Sequence, residues 1–97
     1  AQPSLNFVFI GSFRRSDLQD IPDIQFCGNI LNIYEASDPF GESAIERKDQ
    51  STCTIPNFRE VELNTGLGHG FLFRPLPEWI GPTVQWAKGN YTLQAGW

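Results

Sequence analysis

The stretch GNILNIYEASDPFGES (28–43) decides how this chain is read, because a variant of it, GFLFRPLPEWIGPT (70–83), returns later in the sequence. Each copy opens on a short β-rich run that ends in an aromatic, Tyr34 or Phe73, and crosses a proline-containing link to a second aromatic and a glycine. Those pairs are Phe40 with Gly41 and Trp79 with Gly81. The pattern suits a hairpin folded over its own strand, with one aromatic packed on the other and glycine taking the positive φ of the reversal. Ser43 and Thr83, each two positions past its glycine, are placed to satisfy backbone groups inside such a fold.

Outward from the repeat, strand signals come at short spacing. Residues 5–10, LNFVFI, are rich in β-formers and close on Gly11-Ser12. Residues 30–35, 43–47, 58–63, 71–73 and 83–87 read as further strands, separated by Gly and Pro turns. Residues 13–24 form a polar loop with one helical turn around 16–19, in which Arg14-Arg15 beside Asp17 and Asp20 is a solvated, locally neutralised surface. No segment of helical length carries a clear helical period, so the pattern predicts an all-β domain of Greek keys.

The part of the chain from residue 28 to 97 resembles a βγ-crystallin domain, a family built from two Greek-key motifs. Tyr34-Glu35, Gly41 and Ser43 fall on the motif's spacing, and residues 55–63 are similar to its link and fourth strand. Gly70-Phe71-Leu72-Phe73 resembles the opening of the second motif, and Gly89-Asn90-Tyr91 with Trp97 resembles its later turn and tryptophan. The resemblance implies a β-sandwich of two Greek-key motifs. The sequence stops at Trp97 before a second motif's fourth strand, so residues 6–10 are expected to fill that place, within a monomer or by strand exchange in a dimer. It also implies calcium sites, but the matching stretch Asn57-Phe58-Arg59-Glu60 keeps only the first ligand position and puts Arg59 where a cation would sit. Neither a metal nor a cofactor is therefore expected.

Composition narrows the function. With 97 residues, 40% apolar and 19% charged, the chain is a single globular domain. A formal net charge of -4 argues against nucleic acid or an anionic membrane as the main partner, and no apolar run is long enough to span a bilayer. Cys27 and Cys53 allow one disulfide, expected to close the first motif. With the acceptor pattern Asn90-Tyr91-Thr92 and a start at Ala1-Gln2, they point to a processed, secreted protein with Asn90 as a candidate glycosylation site.

Catalytic constellations are thin. His69 is the only histidine, and inside Gly66-Leu67-Gly68-His69-Gly70 it reads as part of a connection between two strands. The same run is no phosphate cradle, since no helix pattern follows it. Sequence does not pair Glu35, Glu42, Glu46, Glu60, Glu62 or Glu78 across a cleft for glycoside hydrolysis. The chain is thus expected to be a non-enzyme: a secreted interaction protein of toxin, effector or inhibitor type, with Trp79, Trp86, Trp97 and Phe13 facing a protein or cell-surface partner. The alternatives are a calcium-stabilised structural domain and a small secreted hydrolase such as a ribonuclease.

Overall fold

A computed structural model describes residues 5–12 and 27–91. The polar loop at 13–24, including Phe13, and the C-terminal Trp97 lie outside them. Three strands, β1 (Asn6–Ile10), β2 (Asn29–Glu35) and β3 (Asn57–Leu63), form one sheet in the order β1-β2-β3, and both pairings are parallel. Helix α1 (Ile45–Gln50) lies between β2 and β3, and a 3-10 turn (Gly68–Phe73) and helix α2 (Pro77–Ala87) follow β3.

This mixed α/β arrangement overturns the expected all-β sandwich of two Greek-key motifs. The physical reason lies in β2. A central parallel strand is covered on both faces, so its sequence is a nearly continuous apolar run rather than an alternation. Ile30, Leu31 and Ile33 are accordingly all 0% exposed. Parallel neighbours also need a crossover of a dozen residues or more in place of a hairpin, and residues 36–56 supply it between β2 and β3. β1 pairs with β2, in register from Asn6 opposite Asn29 to Ile10 opposite Ile33, and completes no second motif.

The local readings change with the topology. Residues expected as strands at 43–47, 71–73 and 83–87 enter α1, the 3-10 turn and α2 respectively. Gly41 does not take a positive φ; a side chain there would press on Gly11 Cα at 3.0 Å. Gly81 and Pro82 sit inside α2 instead of breaking a hairpin. Proline within a helix loses a hydrogen bond and crowds the preceding turn, yet Pro82 and Trp86 are both buried, and that packing outweighs local propensity. The helix starts well, with Pro77 at its first turn and Glu78 against the positive end of its dipole. It ends in a Schellman motif: Gly89, at φ 85°, donates to Trp86 O at 3.0 Å, and Asn90 donates to Gln85 O at 3.0 Å.

Two layers cover the sheet. On one face Leu31, Ile33, Leu63, Phe71 and Trp86 form the main core under α2 and the 3-10 turn. On the other, Ile30 and Ala44 are buried with Phe9, Ile55 and Phe58 against them. Asn32, also on that face, donates to Glu42 O at 3.0 Å and to Glu60 Oε2 at 2.9 Å, while Glu60 receives the Ala44 N–H and the Ser43 hydroxyl, each at 2.6 Å. These bonds hold residues 42–44 over the sheet.

The N-terminal edge of the sheet is stitched by polar and covalent links. Each strand begins with an asparagine, and parallel register aligns the three. Asn57 Nδ2 donates to Asn29 Oδ1 and Asn29 Nδ2 to Asn6 Oδ1, each at 2.9 Å. Tyr91 caps this ladder by donating its hydroxyl to Asn6 Oδ1, and the buried Trp86 indole donates to Asn29 O at 3.1 Å. Beside it Cys27 and Cys53 are joined, with Cα atoms 5.4 Å apart.

Two stability measurements check this edge. Asn29→Ala strips partners from Asn6 and Asn57 and is expected to cost about 2 kcal/mol in urea unfolding; a change within about 0.5 kcal/mol, the range of ordinary surface substitutions, contradicts the ladder's role. Reducing the Cys27–Cys53 bridge, whose cysteines are 26 positions apart, is expected to remove about 3.5 kcal/mol on the chain-entropy account. An unchanged unfolding midpoint under reductant contradicts that expectation.

Candidate active site

Parallel strands end on the same edge, so the loops that leave them are gathered there. Here the chain leaves β1 at Gly11, β2 at Ala36 and β3 at Asn64. The segments after β2 and β3 bring two side chains together: Asp38 Oδ2 lies 2.7 Å from His69 Nδ1.

Local chemistry sets both residues. Asp38 follows a turn closed by its own N–H to Glu35 O at 2.9 Å, and its Oδ1 accepts the Phe40 N–H at 2.8 Å, a side-chain turn typical of Asp. His69 is reached through Gly66 and Gly68, at φ 75° and 58°, values that residues with a Cβ rarely adopt. The Gly68 N–H donates to Ser37 Oγ at 2.9 Å, so the residues just before Asp38 and just before His69 are themselves bonded.

The Asp38 side chain is 0% exposed and the His69 side chain 41% exposed. A carboxylate can only accept, so the neutral imidazole tautomer that fits this contact is the one with its proton on Nδ1 and its lone pair on Nε2. Close approach from β1 completes the floor. A Cβ on Gly11 would lie 3.2 Å from His69 Cε1 and 3.5 Å from Asp38 Oδ2, so glycine is what lets that turn sit against the pair. Phe40 stands edge-on to the imidazole at 5.7 Å and is itself about half exposed, which gives the site an apolar wall.

Glu35, the last residue of β2, is 1% exposed. Its Oε2 receives the Ser37 N–H at 2.9 Å and hydroxyl at 2.8 Å, and its Oε1 receives the Thr65 N–H at 2.7 Å and hydroxyl at 2.5 Å. Burial pushes this carboxyl up, but the four bonds from Thr65 and Ser37 outweigh it and hold the group down at about 2.

The residues singled out from sequence fall elsewhere. Trp86 is in the core at 0% exposure, and Trp79 is half-buried with its indole N–H on Arg74 O at 2.9 Å. Trp97 and Phe13 lie outside the described residues, so the expected partner surface is represented among the described ones by a buried and a half-buried tryptophan. Asn90 is exposed, with its amide on Gln85 Oε1 at 3.2 Å. Cys27–Cys53 sits at the opposite edge of the sheet from His69. No motif in the sequence pattern singles out Asp38, and His69 reads there as part of a connection between two strands. The available signal was an aspartate just after one apolar run and a glycine-flanked histidine just after the next.

Among the described residues no group of three or more His, Cys, Asp or Glu side chains is placed to hold a metal, and no helix is long and apolar enough to cross a membrane. Comparison with protein-family models, with curated proteins and with solved structures finds no match to this chain.

The buried carboxylate sets a pH dependence. Glu35 sits at about 2 in the folded chain against an ordinary 4.5, so the unfolded chain binds more protons between those values. Its contribution is fully present above pH 4.5 and is lost as the pH falls through about 2. Urea midpoints measured across that window are expected to rise with pH in the wild type and to rise less in Glu35→Gln. Equal slopes in the two proteins contradict this assignment.

Proposed function

We propose that this chain carries the acid and the base of a hydrolytic site acting on an ester or related acyl substrate. Asp38 fixes the tautomer and orientation of His69, and Nε2 takes the proton of an attacking hydroxyl or water as its oxygen adds to the acyl carbon. The same nitrogen then returns that proton to the leaving group as the acyl bond breaks. The observation that carries the reading is the 2.7 Å contact between a fully buried carboxylate and a partly exposed imidazole at the carboxyl edge of a parallel sheet.

Chain order supports it by analogy. In hydrolases built on such sheets the acid precedes the histidine, each on the loop after a strand, as Asp38 precedes His69 here. No hydroxyl among the described residues bonds Nε2, and the Ser12 hydroxyl is turned back to Ile10 O at 3.2 Å. Both cysteines are tied up in the bridge. With no described hydroxyl on Nε2, water is the attacking group in this reading. The disulfide favours an oxidising, extracellular setting. A second reading, the secreted non-catalytic interaction protein, has one support in the exposed ring of Phe73, 85% accessible.

Hydrolysis of p-nitrophenyl butyrate separates the two. Turnover by the wild-type protein is expected, with His69→Ala and Asp38→Asn each lowering kcat by about 10³–10⁴-fold at unchanged circular dichroism. No wild-type turnover, or turnover that survives His69→Ala, rejects the hydrolytic reading and leaves the interaction protein in front.

A further inference from the structure

We infer that Glu35 is a positioning residue for the Asp38–His69 pair, its buried carboxylate holding the loop after β2 and the loop after β3 in one fixed relation. The inference rests on the hydrolytic reading for its functional meaning, but its geometry stands apart from it. The carboxylate divides its bonds evenly: Oε2 takes the N–H and hydroxyl of Ser37, and Oε1 takes those of Thr65. Each hydroxyl then passes the constraint on. Ser37 Oγ accepts the Gly68 N–H at 2.9 Å, and Thr65 Oγ1 accepts the Leu67 N–H at 3.2 Å. Asp38 is thus one residue from Ser37, and His69 one residue from Gly68, on either side of a single anchored network.

Core packing alone does not account for a glutamate here. By the two-residue period of a strand, Glu35 lies on the face of Leu31 and Ile33, where an apolar side chain would avoid the desolvation of a buried charge. What the carboxylate adds is directional: four acceptor positions that match four donors from two loops. Imidazole function depends on that relation, because a ring free to turn about its own bonds no longer presents Nδ1 to Asp38 and Nε2 outward.

The test uses the imidazole nitrogens of His69 by 15N NMR, together with kcat and KM for p-nitrophenyl butyrate. Wild type and Thr65→Ser, which keeps the hydroxyl, are expected to hold the Nδ1–H tautomer. Glu35→Gln, which places an amide group against a loop of donors, and Thr65→Val, which removes one donor, are expected to shift population to Nε2–H and lower kcat by about 10–100-fold with KM unchanged. A wild-type tautomer in the folded Glu35→Gln and Thr65→Val proteins overturns the inference. If Glu35→Gln does not fold, Thr65→Val decides alone. A tautomer shift in proteins that hydrolyse nothing upholds the positioning role and rejects the hydrolytic reading instead.

Discussion

β2 has a strand on each side and a packed layer on each face, and the rest of the molecule follows from that confinement. A strand enclosed in this way must satisfy its backbone within the sheet and fill both faces with side chains, which Ile30, Leu31 and Ile33 do at zero exposure. Because both neighbours run parallel to it, every strand start lies at one edge and every strand end at the other. Sequence positions far apart are thereby delivered to the same place without direct connection. Asp38 and His69, 31 residues apart, meet for this reason.

The two edges are held by different chemistry. At the N-terminal edge the asparagine ladder, Tyr91, the Trp86 indole and the Cys27–Cys53 bridge fix register, and a one-residue slip would break the hydrogen bonds together, strain the bridge and turn the core face outward. At the opposite edge Glu35, itself 1% exposed, collects donors from two loops. Buried polar groups of this kind stabilise only when fully partnered. Glu35 meets that condition with four donors. The reactive pair is built in the same way on its buried side, where Asp38 has partners on both oxygens, and is open on the other, where His69 faces solvent.

Much of this was legible locally and little of it globally. The runs at 5–10, 30–35 and 58–63 read as strands, and β1, β2 and β3 fall on them, because β-branched and aromatic residues between turn signals carry that information in themselves. The pairing of Cys27 with Cys53 was the single possibility for a disulfide within the chain. Strand direction is not carried by such local signals. The paired aromatic-to-glycine segments suggested hairpins, whereas the long crossovers and the unalternating NILNIY run were the signs of parallel strands. Gly81-Pro82 read as a turn because propensity sees only neighbours; burial of Pro82 and Trp86 against the sheet is a tertiary effect that no local window contains. Gly89 reads as a turn and serves as a helix stop, a role set by the helix before it. With direction misread, Asp38 and His69 had no reason to be considered together.

The direction of β3 against β2 is therefore the point at which the account is most exposed, and backbone nuclear Overhauser contacts in solution read it without reference to activity. Parallel pairing predicts contacts that climb together, Leu31 with Arg59, Ile33 with Val61 and Glu35 with Leu63. Contacts that run in opposite directions, with residues near Glu35 facing those near Asn57, would show antiparallel strands, separate Asp38 from His69, and contradict the account at its base.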